Sequence, residues 1–392
     1  MNFNSNQINW RLPFLLLATT LVGCANMSST PEVRQITPPK LSVENLGRHI
    51  LCHRPMRRGA PNMTVEKCGA QVIAHDYGHG GSGLTLAPGS ASYVNDLLIK
   101  SEYAKDLTKD TPITIIGGGV LGLFTAYDFI QKGYNNITIM AESFKDLASY
   151  RCGGLIAPVS MDNDPAMQKI VDQIGINAYK FYESIAKSQH PHFKKFVRIV
   201  PAYFENREGS GLEPYVGKVM KKAKDVVLDF GNGTKRPMVS YDDGMFVDPA
   251  ELMADLTQYL KDQKVRFVQK RINKFSDVKT KYVIDCTGLG SATLNKDDAM
   301  VSVQGHLIML QDQKPEDLQY MVLIYFKDGK TKSGQKIKRS FYLFPKHFPN
   351  TSADKIGVLG GTFIEGATDQ TPNTEEFETM IKGAKDFYGI KR

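Results

Sequence analysis

The stretch TPITIIGGGVLGLFTAYDFIQKG (residues 111–133) decides how the rest of the chain is read. Thr114, Ile115 and Ile116 form a short apolar run that ends in Gly117-Gly118-Gly119-Val120-Leu121-Gly122. From Leu123 to Lys132 the apolar residues recur at helical spacing, up to Gly133. This is strand, tight turn and helix. A second apolar run, Ile137 to Met140, leads to Glu142, 20 residues beyond Gly122. Glycines at 117, 119 and 122 let the backbone turn sharply and approach a pyrophosphate. The helix start at Val120 offers unpaired N–H groups, and Glu142 accepts from a ribose hydroxyl. The spacing predicts a dinucleotide site.

Two later segments suit a long cofactor lying over the chain. SYRCGGLIAP (149–158) brings small residues and backbone amides, with Ser149, Arg151, Gly153 and Gly154, to the point where the next helix would otherwise begin. KYVIDCTGLGS (281–291) is an apolar strand ending in a turn at Thr287 and Gly288. Between them Asp248 and Pro249 open a helix as N-cap and first helical residue. Ahead of the glycine-rich turn lie HRPMRRGAPNM (53–63) and YGHGGSGLT (77–85), both ligand-facing in character.

Taken together, these segments resemble the FAD-dependent D-amino-acid oxidase family, which includes glycine and sarcosine oxidases. The resemblance rests on IIGGGVLGLFTAYDF, Glu142, RCGGLIAP, VDPAELMADL, VIDCTGLGS, VQGHLIML, YLFP and GVLGGTF, and above all on RPMR and YGHGGSGLT. It covers most of residues 50–392. The implied fold is α/β, a Rossmann-like FAD-binding domain plus a mixed or antiparallel substrate domain. In the family, however, the RPxR and YGHGG elements follow the YLFP and GGTF strands, whereas here they precede the glycine-rich turn. A circular permutation accounts for this order, and it requires Lys40 and Arg392 to lie near one another.

On that reading, residues 41–100 are the displaced segment of the flavin and substrate site and 111–160 the Rossmann core. Residues 161–244 and 301–392 form the substrate domain, and 245–300 the rest of the FAD domain. Helical spacing over 161–190 packs a helix beside the substrate domain.

The resemblance also implies the site. Arg54 matches the carboxylate-binding arginine, Tyr342 the tyrosine donating to the same carboxylate, and Gly81 the glycine whose carbonyl receives the substrate amine. Gly78, His79, Gly80, Gly83 and Leu84 fall on the flavin loop, with His79 structural or flavin-contacting rather than a base. Arg57 reads as a surface residue. KIKRS (336–340) occupies the approach where many members carry a second tyrosine, and Tyr325 lies too far away in sequence to be placed, so the second tyrosine and the substrate range stay open. The implied reaction is hydride transfer from the Cα of a D-amino acid or related small amino acid to flavin N5. The resulting imine hydrolyses to a 2-oxo acid, and oxygen is the acceptor. A flavin dehydrogenase using another acceptor, and a non-catalytic FAD-fold binding lipoprotein, are the alternatives.

The N-terminus follows different logic. Arg11 precedes an apolar run, Leu12 to Val22, too short to span a bilayer but of signal-peptide length, and Leu21-Val22-Gly23-Cys24 resembles a bacterial lipoprotein box. Residues 1–23 are therefore read as a signal peptide, Cys24 as the lipidated residue, and 24–40, rich in Pro, Ser and Thr, as a tether in the cell envelope, at the periplasmic face of the outer membrane. The body is of multi-domain size: 392 residues, 42% hydrophobic and 23% charged. A net charge of +8 comes from lysines interleaved with acids, so no nucleic-acid partner is expected. Cys52, Cys68, Cys152 and Cys286 show no metal-ligand spacing. Buried free thiols are the default for them, with a Cys52–Cys68 disulfide open to an exported protein.

Overall fold

The structure, a computed structural model, describes residues 30–391 apart from 159, 160, 162, 333, 348–351, 353 and 372. The signal peptide, Cys24 and Arg392 lie outside the described residues. Two compact units, Met1–Pro31 and Glu32–Arg392, make up the chain, and the account below concerns the second.

Its first third runs β1 (Glu32–Gln35), β2 (Leu46–Arg57), β3 (Asn62–Cys68), β4 (Gln71–Tyr77), α1 (Gly83–Lys100), β5 (Ile113–Ile116), α2 (Val120–Gln131) and β6 (Ile137–Ala141). Next come α3 (Pro165–Ala186), β7 (Val197–Ile199), β8 (Ala202–Phe204), β9 (Lys224–Asp229), β10 (Lys235–Tyr241), β11 (Met245–Val247) and α4 (Pro249–Asp262). The chain closes with β12 (Arg266–Gln269), β13 (Tyr282–Asp285), α5 (Ser291–Leu294), β14 (Met300–Leu310), β15 (Met321–Lys330), β16 (Lys336–His347), β17 (Ile356–Glu365) and α6 (Thr374–Tyr388). No helix among the described residues is long and apolar enough to cross a membrane.

The strands form a six-stranded sheet, β12-β6-β5-β13-β4-β3, and a nine-stranded sheet, β1-β9-β10-β8-β15-β16-β17-β14-β2. In the first, every neighbouring pair is parallel except β3 with β4. β5 and β13 are buried along their whole length and β4 from Val72 on, as a parallel sheet covered on both faces must be. The loops after β4, β5, β6 and β13 therefore leave the sheet at the same edge, the carboxyl ends where open α/β sheets bind ligands.

The second sheet is mixed. β16 alternates, with Phe341 and Leu343 buried in the core that α6 covers and Ile337 packed with Ile364 and Ala367. The residues between them, Lys338, Ser340 and Tyr342, face the cavity described below. Helix α6 is pinned to this sheet by the buried Glu376, which accepts from Arg339 Nε and Nη2 at 2.9 and 2.7 Å. The fold is α/β, a Rossmann-like parallel-sheet half joined to a mixed-sheet half.

Several expectations change in detail. The segment read as a tether holds a strand: Glu32–Gln35 pairs in parallel with β9. Arg34 fastens it by bonds to Glu32, Ser240 and Asp242, an ion-pair cluster between positions too far apart in sequence for local pattern to reveal. Residues 41–100 do not stay together, because β2 borders β14 in the large sheet while β3, β4 and α1 join the parallel half. β11 pairs with β7 in a small sheet of two strands rather than with the parallel half. The helix within 161–190 is α3, capped by Asp164 through the N–H groups of Ala166 and Met167. The four cysteines of the described body are free: Cys52 lies in the large sheet and Cys68 at the exposed end of β3.

Candidate functional site

Residues of both sheets line a cavity of about 740 Å³. At one end stands the glycine-rich turn. Gly117 has φ +122°, and a Cβ on it would collide with the Cys286 carbonyl, just as one on Gly122 would collide with the Gly117 carbonyl. Only glycine permits so close a fit of turn, helix and neighbouring strand, and the fit leaves Gly117, Gly119 and the α2 N-terminus at the cavity wall. The Val120 N–H donates to Ser149 Oγ at 2.9 Å, which ties the 149–154 loop to the helix start. Glu142 lies on the lining and accepts from Arg271 Nη1 at 2.8 Å.

The other expected cofactor residues meet here too. Arg151, Gly153, Gly154, Thr287, Gly288, Gly78, His79, Gly80, Gly83 and Leu84 all line the same cavity. Arg151 Nη1 donates to the Leu51 carbonyl at 3.1 Å, and Thr287 is held by Asp285, whose Oδ1 accepts from its N–H and hydroxyl at 3.1 and 2.7 Å. Lys346, which sequence reasoning passed over, is buried and donates to the Tyr150 and Cys152 carbonyls at 2.9 and 2.7 Å. Burial lowers its pKa.

The histidine of the YGHGG loop turns its ring inward. His79 Nε2 lies 2.9 Å from Ser90 Oγ, which donates to the buried Asp76 Oδ1 at 2.6 Å. Burial pushes the His79 pKa down to about 4 and that of Asp76 up to about 7. A neutral imidazole bonded to α1 is a bracket for the loop, not a base. Arg57 is half-buried and engaged: its Nε donates to Asp297 at 2.8 Å and its backbone N–H to the Gly78 carbonyl at 3.0 Å. Sequence pattern carries no trace of that pairing.

Arg54, Tyr342 and Gly81 lie on the same lining. Tyr342 stacks on Phe344 at 4.4 Å. Burial raises its phenol pKa while the Arg54 charge opposes the rise. Tyr325 joins them on the cavity wall, near enough for Arg54 to act on its phenol as well. Its place follows from register, since Leu323 pairs with Tyr342 and Tyr325 with Ser340. Counting residues along the chain could not give that register. Glu142 is the only acidic residue on the lining, and it is engaged by Arg271, so Arg54 forms no ion pair among the described residues. The glycine cradle, the α2 N-terminus at the cavity wall and the acid beyond it fit a dinucleotide, and the cavity is of ligand-binding size.

The sequence pattern of the FAD-dependent oxidoreductase family matches residues 112–390. The chain belongs to that family. FAD is its cofactor. Solved structures similar to it include glycine oxidase from Bacillus cereus, 14% identical with TM-score 0.47, covering 70% of this chain and 77% of that one. Iminodiacetate oxidase from Chelativorans sp. BNC1 is 14% identical with TM-score 0.48, covering 71% and 79%. L-proline dehydrogenase from P. horikoshii is 15% identical with TM-score 0.46, covering 71% and 76%. No curated protein matches this chain.

The Asp76 carboxyl behind the loop of this oxidoreductase gives a pH signature. With its pKa at about 7 in the fold and about 3.9 unfolded, the native state holds the extra proton between those values. Stability therefore declines as pH rises through that window. Asp76→Asn removes this dependence, so the variant should gain on the parent by several kcal/mol in order of magnitude between pH 4 and 7, and by no more above it. Urea denaturation at a series of pH values checks the difference; parallel curves would show that Asp76 does not titrate there.

Proposed function

We propose that this FAD-dependent oxidoreductase oxidises a small amino acid of D configuration at its Cα–N bond. The observation that carries the reading is the Arg54 guanidinium, on a cavity wall beside Tyr342 with no carboxylate among the described residues to match it. A planar fork of donors beside a phenol suits a substrate carboxylate and binds it by charge-assisted hydrogen bonds. The D configuration and the role of the Gly81 carbonyl as acceptor for the amine rest on the resemblance of RPMR and YGHGG to the oxidase motifs. Bound FAD supplies the two-electron acceptor. The Cα–H leaves as hydride, the amine gives its proton to solvent, and the imine hydrolyses to a 2-oxo acid and ammonia. Neutral, inward-turned His79 takes no part as a base. Oxygen is the proposed final acceptor.

Arg54→Ala should lower kcat/KM by two to three orders of magnitude in an oxygen-uptake assay, while flavin absorbance of the purified protein stays. Arg54→Lys should recover only part, because a point charge does not make the fork. Unchanged turnover in Arg54→Ala would sink the reading.

We also propose the circular permutation. The family pattern begins at residue 112, while RPMR and YGHGG lie before it. In support, the Thr37 carbonyl and the Tyr388 hydroxyl both meet the Tyr320 hydroxyl, at 3.1 and 3.3 Å, so the ends that the ancestral order would join are neighbours. A rearranged gene carrying residues 41–106 behind residue 391 should give a protein that binds FAD and melts within a few degrees of the parent. A rearranged chain that cannot fold counts against it.

The envelope location is a proposal as well, resting on the Leu21–Cys24 box. Cys24→Ser should move the protein from the membrane pellet to the soluble fraction on cell fractionation. Unaltered partitioning would place the anchor elsewhere.

A further inference from the structure

Thr362 stands one step beyond the glycines of GVLGGTF, at the point where β17 falls out of register with both neighbours. On one side the pairing moves from Gln304↔Ile364 to His306↔Gly361, and on the other from Lys338↔Phe363 to Phe341↔Gly361. Thr362 itself has φ +61°, a left-handed conformation that a β-branched side chain adopts only under constraint. The constraint is visible. The His306 N–H donates to Thr362 Oγ1 at 3.2 Å, and His306 Nδ1 lies 2.7 Å from the same oxygen.

His306 is itself fully buried, its ring edge-on to Phe377 at 4.7 Å, and His49 stacks on the same phenyl at 4.4 Å. Its Nε2 has no hydrogen-bond partner among the described residues, so the contact with Thr362 is the polar contact that orients the ring. Burial drives the His306 pKa down to about 4, with the charges of Arg54, His53 and His49 acting in the same direction, and the ring stays neutral behind the arginine.

The consequence falls on Arg54. Freed from the ladder by the bulge, the Thr362 carbonyl accepts from Arg54 Nη1 at 3.2 Å. Below the guanidinium lies Gly305, where any Cβ would collide with Nη2. The arginine is thus supported from below by an absent side chain and from the side by a carbonyl whose direction the left-handed residue sets.

We propose that Thr362 is a positioning residue: its hydroxyl, held by His306, locks the left-handed turn that aims the Thr362 carbonyl at Arg54, and this fixes the orientation in which Arg54 meets the substrate carboxylate. The inference rests on the reading of Arg54 as the carboxylate clamp. Nothing in it concerns the transfer of hydride. Loss of the lock therefore weakens carboxylate binding and leaves the rate at saturation near its parental value.

Thr362→Val keeps the branched shape and removes the hydroxyl; Thr362→Ser keeps the hydroxyl. Thr362→Gly removes the hydroxyl but suits the left-handed backbone, so it folds even where valine does not. The FAD-loaded proteins are titrated with propionate, a carboxylate without an amine, and binding is followed by the change in flavin absorbance. Valine and glycine should raise the propionate Kd and the substrate KM by roughly tenfold, about 1.4 kcal/mol. In both, kcat and FAD affinity should remain near the parent, and serine should behave as the parent. Parental propionate binding in Thr362→Gly, or a loss in serine equal to that in valine, overturns the proposal. Arg54→Ala separates the two levels. If it abolishes propionate binding while the Thr362 variants change nothing, only this inference fails; if it leaves propionate binding intact, the reading of the site fails with it.

Discussion

A guanidinium on a cavity wall with no carboxylate to answer it is a charge that the rest of the molecule has to accommodate, and in this protein that group is Arg54. An unmatched buried charge is costly, so such a site is stable only where solvent or a ligand can reach it and where neutral dipoles already point the right way. Both conditions hold. The cavity lining carries Arg54, Arg151, Lys270, Arg271 and Lys338 against a single acid, Glu142. A concave surface of one sign, walled by apolar strands, concentrates anions. A flavin dinucleotide with its pyrophosphate at one end and an amino-acid carboxylate at the other are the two anions that this field would gather. Arg54 meets the Thr362 carbonyl at 3.2 Å and lies against the bare backbone of Gly305.

Much of this was legible in the residues themselves, and the part that was legible is the part governed by local chemistry. The turn from Gly117 to Gly122 needs glycine because of contacts within a few ångströms, and the same residues that make the pattern make the contact. Asp248 before Pro249 caps α4 as its position suggests, accepting from Ala250 and Glu251. The features that escaped are set by register and by long-range pairing. Tyr325 is brought beside Tyr342 by a strand pairing whose register shifts just after it, and alternation cannot count through a bulge. Arg57 gives the impression of a surface charge until Asp297, 240 residues away, is placed against it. The strand at Glu32–Gln35 exists because β9 offers an edge, not because its own sequence demands one.

The same distinction explains how the glycine-rich loop can lie ahead of the turn it accompanies. Strand β4 is bound on one side by β13 and on the other by β3, and its hold on the sheet is the same whichever end of the chain delivers it. Side chains add to the ladder. His75 reaches Asp285 across 210 residues, and Tyr77 donates to Asp297 across 220, at 2.8 Å. Closing loops of this length costs little more than closing shorter ones, since each doubling adds only about 0.6 kcal/mol. Distance along the chain is thus a weak constraint, and proximity of the ends is a strong one: a segment can change places in sequence only if its old attachment points are close enough for a chain to join them. Tyr320 marks that closeness, with Thr37 and Tyr388 on its one hydroxyl. What the proposed chemistry requires is that four loops leave a parallel sheet at its carboxyl edge while a mixed sheet presents Arg54 to them, and neither requirement refers to the order in which the chain supplies the pieces.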